Sequence, residues 1–263
     1  MSQTGTVRRF GPNEVEVLID GIFDVPRGVL RHGGGDAALA RLLEGVRDED
    51  LRIPVNAFLL RGPEGVSLID AGCGTAWGEA FGRLRDLLRE RGMGPEAVDR
   101  VILTHVHSDH ALGLLEGEGA YFPRAEVWVP AVDWQHFRDP AAREAAPDGK
   151  RGAFDIAAQV GRAYGDRVRE IGAGEVLPGV TLVPMPGHSP GHSGYRLEGP
   201  EGVLLILGDT LHFAGLQGRD PAVRTEWDFD GDAAERTRRE VLRQVRENGW
   251  LVVGGHVAGL DSP

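Results

Sequence analysis

A chain of 263 residues, 41% apolar and 26% charged, is long enough to bury a substantial core and ordinary in composition for a globular protein. Its formal net charge of -11 repels polyphosphate and counts against a nucleic-acid partner, and its single cysteine, Cys73, excludes an internal disulfide. The opening MSQTGTVRRFGPNEVEV lacks the apolar stretch of a secretory signal, and runs such as VLLIL (203–207) are too short to span a bilayer, so a cytoplasmic protein without membrane contact is expected.

EVEVLIDG (14–21) reads as a strand, and NAFLLRGPEGVSLIDAG (56–72) as two strands around a Gly/Pro turn. A helix is expected over 78–91, where Phe81, Leu84, Leu87 and Leu88 recur at helical spacing and Gly92 supplies the stop. DRVILTH (99–105) is a buried strand and AEVWVP (125–130) another. DPAAREAAPDGKRG (139–152), polar and rich in Pro and Ala, reads as a mobile loop. Strands are expected at 176–183, 192–197 and 203–208, then a helix over 232–247 with Asp232 as its cap and Glu235 three residues on, then a last strand in WLVVGGH (250–256). Alternating strands and helices predict α/β layering, in one domain spanning 1–263.

Chemistry concentrates in THVHSDH (104–110), where His105, His107, Asp109 and His110 follow an apolar strand. His188, Asp209 and His256 each stand at or just beyond the end of another apolar run. Loops at strand ends are where α/β sheets assemble their sites, so four strands can deliver imidazole or carboxylate to one rim. Such a cluster, without thiolate, suits Zn²⁺, with Fe, Mn or Co as alternatives. Of the nine histidines, His32 and His136 read as ordinary structural ones, and Cys73 as a small buried hydrophobe.

THVHSDH, PGHSPGH, GDT after a strand and GGH near the C-terminus together resemble the metallo-β-lactamase-fold hydrolases, over nearly the whole chain. The resemblance implies an αββα sandwich of two packed mixed sheets flanked by helices. It also implies two divalent metal ions, His105, His107 and His188 holding one, Asp109, His110 and His256 the other, and Asp209 bridging. Asp70 in LIDAG resembles the family's buried aspartate that buttresses the metal loop, and His192 is expected to brace the site rather than bind metal. A hydroxide shared by ions about 3.5–4 Å apart would be the nucleophile, in a site left net positive and so receptive to an oxyanion.

GDTLHFAGLQGRDPAVRTEWDFDGDAAERTRREVL is similar to the branch containing methyl parathion hydrolase and related lactonases, through Gly208, Asp209, His212, Gln217, Pro221 and the DFDGDAAERTR helix entry. That implies cleavage of a small ester, a lactone of the acyl-homoserine-lactone kind or a phosphotriester, with Asp109 and His212 as the residues acting directly in catalysis. Related lactonases place a tyrosine at the offset of His212, where the histidine would donate to the oxyanion or protonate the leaving group. Family relatives are often dimers, which makes a homodimer an expectation. Only Val257 to Pro263 follow the last histidine, whereas relatives usually run on further into pocket-lining residues; either the C-terminus is short or the sequence is cut, which leaves the pocket's shape open but not the metal set. Other walls are expected from 22–35 and 134–155, with Phe23, Leu30, Trp134, Phe137 and Phe154 as apolar candidates.

Three rival readings stand beside this one. AGCGTAWG (71–78) approaches a nucleotide-binding glycine loop but misses its spacing by one residue. Within the fold, glyoxalase-II-like thioester hydrolysis or mono-iron persulfide dioxygenation remain alternatives, and a non-catalytic binding module would go with missing ligands, of which there are none.

Overall fold

The computed structural model describes residues 7–257. The first six residues and those after Val257 lie outside the description, and with them the C-terminal stretch that bears on the pocket's shape and part of the segment read for a signal. In chain order the strands are β1 (Arg8–Phe10), β2 (Asn13–Asp24), β3 (Leu30–His32), β4 (Arg52–Gly62), β5 (Gly65–Ile69), β6 (Arg100–Ile102), β7 (Leu115–Glu116), β8 (Gly119–Ala120), β9 (Glu126–Pro130), β10 (Val168–Ile171), β11 (Gly174–Leu177), β12 (Val180–Pro184), β13 (Ser193–Gly199), β14 (Gly202–Ile206), β15 (Val223–Thr225) and β16 (Leu251–Val253). The α-helices are α1 (Asp36–Leu42), α2 (Leu84–Glu90), α3 (Ser108–Ala111), α4 (Ala131–Arg138), α5 (Pro140–Ala145), α6 (Gly152–Tyr164), α7 (Ala214–Gln217) and α8 (Gly231–Asn248).

Two mixed sheets form, one ordered β1-β2-β4-β5-β6-β9-β10 and the other β11-β12-β13-β14-β16. In the first, β5, β6, β9 and β10 run parallel. In the second, the one parallel pair is β14 with β16. Side chains alternate across each strand, so a strand buried on both faces serves two cores. In β4, Phe58 and Leu60 meet Leu182, Tyr195, Leu204 and Ile206 of the second sheet, whereas Ala57 and Leu59 face the helix side with Leu84, Phe154 and Val160. Beyond the second sheet, Leu205 and Val252 pack on Val241, Leu242 and Val245 of α8. The layers are therefore helix, sheet, sheet, helix, the αββα sandwich expected from the sequence. Each large apolar side chain buried here contributes roughly 1.5–3 kcal/mol relative to exposure. Among the described residues no helix is long and apolar enough to cross a membrane.

Several local expectations need correction. The helix expected over 78–91 is only α2, because the Asp20 carboxylate of β2 accepts the backbone N–H groups of Cys73, Gly82 and Leu84 and holds 73–83 as a loop. The nucleotide-loop reading fails with it: within AGCGTAWG, Gly72 packs against the Asp20 carboxylate and Cys73 N–H donates to it, and that carboxylate would repel phosphate. The strand expected over 176–183 is a hairpin, β11 and β12 turning at Pro178-Gly179. The expected loop at 139–152 contains α5, started by Pro140 and capped by Asp139, whose side chain accepts from Ala141 N–H at 2.9 Å. The last helix begins at Gly231, and its cap is Asp230, bonded to Ala233 N–H. Asp232 and Glu235 instead pair with Arg224, at 2.6 and 2.7 Å. Helices α4 and α6 were not anticipated; they place Trp134, Phe137 and Phe154 against the first sheet.

Candidate metal centre

The ends of five strands meet at one rim. Asp70 directly follows β5, the THVHSDH loop follows β6, and His188, Asp209 and His256 lie just past β12, β14 and β16. Backbone geometry fits side chains at close quarters there. Gly208, in the left-handed region at φ 53°, leaves room for the His192 ring, whose Nε2 would lie 2.4 Å from any added Cβ. A Cβ at Gly255 would stand 2.5 Å from Asp209 Oδ1.

Three groups of ligand-type atoms result, each drawn together within 4.8 Å: His105, His107 and His188; Asp109, His110, Asp209 and His256; and His188, Asp209 and His212. Every residue singled out as a ligand from the sequence is in one of them. His107 Nδ1 and His188 Nε2 face each other at 2.9 Å. Asp209 Oδ2 lies 3.1 Å from His256 Nε2, 3.3 Å from both His188 Nε2 and His212 Nε2, and 3.9 Å from His105 Nε2. Its Oδ1 is 3.1 Å from His110 Nε2. Asp109 Oδ2 stands 3.3 Å from His256 Nε2 and 3.5 Å from His110 Nε2.

The outer ring nitrogens are tied down. His110 Nδ1–H donates to Asp70 Oδ2 at 2.8 Å, His188 Nδ1–H to Asp228 Oδ1 at 3.1 Å, and His256 Nδ1–H to the Pro54 carbonyl at 2.8 Å. His105 Nδ1–H donates to Thr104 Oγ1, whose own proton goes to Asp70 Oδ2. Such bonds fix ring orientation and leave the Nε2 atoms of these four rings aimed inward. His192 is the brace expected of it: Nδ1–H donates to the Met185 carbonyl, and Nε2 accepts the Asp209 backbone N–H at 2.8 Å.

Imidazole nitrogens and carboxylate oxygens crowded together in a buried space, several of them without a partner, fit cations. Four features of the site agree with that. His105 Nε2, His110 Nε2, Asp209 Oδ1 and both His212 nitrogens are buried without a hydrogen-bond partner. Burial, then the neighbouring imidazoles, hold His105 and His107 well below the usual histidine range. Burial would depress His256 too, but the Asp209 and Asp109 carboxylates outweigh it and lift its pKa to about 10; His110 is raised well above its usual value by the same opposition. Burial likewise opposes ionisation of Asp109 and Asp209, yet His110 and His256 hold both well below the carboxylate range. A pocket that draws protons onto two imidazoles beside two carboxylates is one that calls for positive charge.

The site opens into a cavity of about 380 Å³, lined beside the cluster by Phe23, Ile53, Trp77, Phe137, Trp227 and Phe229 among others. Phe23 packs edge-on against Trp77, with ring centres 5.3 Å apart, and lies 6.0 Å from Trp227. Of the apolar wall candidates from the sequence, Phe23 and Phe137 line this cavity, while Leu30, Trp134 and Phe154 are core residues that do not. Lys150 lines the rim, its ammonium donating to the carbonyls of Glu226 and Asp228.

Sequence reasoning missed Asp228 and Asp133. Asp133, at the start of α4, accepts from Val106 N–H, Gly191 N–H and Ser189 Oγ–H, tying the two histidine loops together. Burial comes first among the influences on its carboxyl and raises its pKa. Asp228 opens the DFDGDAAERTR stretch, but its flanks, one of them the exposed Phe229, carried no sign that its carboxylate is buried.

Fold and site together define a hydrolase of the kind that works through metal ions held by histidine and aspartate. The chain belongs to the metallo-beta-lactamase superfamily, whose family model matches residues 51–256. It is similar to the N-acyl homoserine lactonase AiiB of Agrobacterium fabrum, 28% identical over 232 residues, which are 78% of this chain and 79% of that one. A solved hydrolase of the beta lactamase superfamily, AbOPH, superposes with a TM-score of 0.86 at 24% identity, over 98% of this chain and 91% of that one. AidC, a dizinc quorum-quenching lactonase solved with a product, superposes with a TM-score of 0.79 at 19% identity, over 96% and 90%. These structural likenesses carry the fold.

Proposed function

We propose that this chain is a dinuclear metal-dependent hydrolase of small uncharged esters or lactones bearing an apolar chain, with N-acyl homoserine lactones as the leading substrate class and phosphotriesters as a second target of the same attack. The observation that carries the reading is Asp209, which touches histidines of both ligand groups at the floor of an apolar cavity. His105, His107 and His188 would hold one cation, Asp109, His110 and His256 the other, with Asp209 between them. Bound there, two divalent ions such as Zn²⁺ supply Lewis acidity and ionise water near neutral pH.

The chain's own residues do the rest. Burial, ahead of the opposing Asp209 carboxylate, lowers His212 to about 4, so its imidazole is neutral at pH 7 and offers one N–H to the substrate oxygen. Asp109, ionised and lining the cavity, would take a proton from the attacking water. The Phe23, Trp77 and Trp227 wall would seat the apolar chain and exclude water from it.

Electrostatics favour this over the thioester and persulfide alternatives where those require a carboxylate-bearing thiol conjugate. Among the described cavity-lining residues the one lysine or arginine is Lys150, and its ammonium is committed to two backbone carbonyls. The mono-iron reading also leaves the group around Asp109, His110 and His256 without a purpose.

The test is a hydrolysis panel of acyl-homoserine lactones, aryl esters, glutathione thioesters and phosphotriesters, run on metal-loaded and metal-stripped protein. Lactone or ester turnover that vanishes on stripping is expected. Turnover confined to the anionic thioester, or equal rates after stripping, overturns the proposal.

A further inference from the structure

Helix α8 covers the outer face of the second sheet, yet one of its side chains runs inward toward the site. Arg238 is fully buried. Its Nε–H donates to the Thr210 carbonyl at 2.9 Å, and Nη1 to the carbonyls of Pro221 and Val223 at 2.9 and 2.6 Å. Nη2 has no hydrogen-bond partner and faces Asp228 Oδ2 at 3.8 Å. Asp228 also accepts Thr225 N–H on Oδ2, and on Oδ1 it receives His188 Nδ1–H. One guanidinium thus grips the segment after Asp209, the entry to β15 and the carboxylate that orients a histidine of the first ligand group.

We propose that Arg238 and Asp228 are positioning residues for the metal centre: Arg238 holds the Asp228 carboxyl group in place, and Asp228, bonded to His188 Nδ1, fixes that ring with Nε2 turned toward His107 and Asp209. The inference rests on reading the cluster as a metal centre. The physical reason for two residues is charge. A buried carboxylate without a counter-ion is costly, and so is a buried guanidinium, whereas together they are tolerated and pass a fixed negative partner to the imidazole. Backbone bonds from Phe229 N–H to the His188 carbonyl and from Asp230 N–H to that of Gly187 hold the same two loops, so the side-chain relay acts on a backbone already positioned.

Zn²⁺ and Co²⁺ titrations of stripped protein against a chromophoric chelator test this without any substrate. Asp228→Asn keeps the side-chain shape and removes the charge; Arg238→Met removes the guanidinium, and Arg238→Lys restores a cation. Asp228→Asn and Arg238→Met are expected to weaken one of the two bound ions about 10- to 100-fold and leave the other unchanged. The Co²⁺ visible spectrum of that site should change with them, and Arg238→Lys should recover part of the affinity. A purely structural arginine would lower the melting temperature of stripped protein without moving either affinity, and that result in Arg238→Met and Asp228→Asn overturns the inference. Should Arg238→Met fail to fold, Asp228→Asn decides alone. Wild-type protein that binds neither ion overturns the metal reading itself, a different outcome from unaltered variants beside a two-ion wild type.

Discussion

Asp70 supports His110 from a strained backbone. Its Oδ2 lies 2.8 Å from His110 Nδ1, and its φ of 61° is the one positive value outside glycine among the described residues. The left-handed conformation costs an L-residue roughly 1–2 kcal/mol, and aspartate is among the few side chains that bear it. Oδ1 also accepts Thr104 N–H at 2.8 Å, so one carboxylate orients both the loop and the ring. Asp70→Ala should lower stability by about 2–4 kcal/mol, because it leaves several buried donors unpaired. Asp70→Asn should keep most of the stability but weaken metal at the Asp109, His110 and His256 group about 10-fold or more. Urea unfolding of stripped protein and chelator competition measure the two effects separately. Unchanged affinities in Asp70→Asn would remove the buttressing role.

Asp209 lies within 3.3 Å of His188 and 3.1 Å of His256, one from each proposed ligand set, so its loss should not spare either. Asp209→Ala is expected to lose metal and hydrolytic activity together, with residual rates at least about 10³-fold down, on the scale of removing a central charge-stabilising group. Elemental analysis after dialysis against metal decides it. Two ions retained with full turnover would show that Asp209 is a bystander.

His212 differs from the ligands in having neither ring nitrogen hydrogen-bonded. It stacks on His256 with rings 5.1 Å apart and 17° from parallel, beside Trp227. His212→Phe keeps this packing and removes the donor. Metal content should stay at the wild-type level while kcat falls about 10²- to 10³-fold, with a smaller change in KM. Steady-state kinetics on the best panel substrate, paired with metal analysis, checks this; equal kcat would place His212 outside the chemistry.

How much of this was readable follows from sequence distance. His105, His107, Asp109 and His110 sit in one loop, and His188, Asp209 and His256 each end an apolar strand, so local pattern located them. The residues that aim them come from farther away. Asp20 shortened the expected helix from some 60 positions earlier, by claiming Gly82 and Leu84 N–H. Asp133 lies on a helix the sequence reading did not anticipate and Arg238 on the charge-rich last helix, and only tertiary packing turns those two inward. The missed turn at Pro178-Gly179 is different: its signal was in the chain and lay inside an apolar run read as continuous.

Protons and metal compete for the site with a definite sign. In metal-free protein His110 and His256 are held protonated at neutral pH, while His105 and His107 are neutral. An ion entering the group around Asp109, His110 and His256 must therefore displace protons, whereas one entering among His105, His107 and His188 finds lone pairs on at least two of them. Calorimetry at pH 7.5 in two buffers of different ionisation heat should show proton release tied to one ion, and metal content should fall as pH drops. The stripped chain should behave oppositely. His256, raised to about 10, contributes stability that is fully present below its unfolded value of about 6.5 and is lost as pH rises through about 10. Proton-silent uptake of both ions, or metal content flat into strong acid, would count against histidine ligation.

Cys73 is fully buried beside the loop that Asp20 holds. Burial first, then the Asp109 and Asp20 carboxylates, push its thiol above the ordinary cysteine range. The folded chain therefore keeps this proton at pH values where the unfolded chain, with a thiol pKa of about 8.5, releases it. The unfolded state binds fewer protons in that window, so folding stability should fall as pH climbs past about 8.5, by up to about 1.4 kcal/mol per pH unit from this group. Native protein should be silent to an aromatic disulfide reagent at pH 8 and yield one thiol in denaturant. Comparing urea midpoints of wild type and Cys73→Ala at pH 8 and pH 10 isolates the group, since other titrating residues are common to both. A thiol that reacts at once in native protein, or equal pH slopes in the two chains, would mean that solvent reaches Cys73 and that the loop held by Asp20 opens readily.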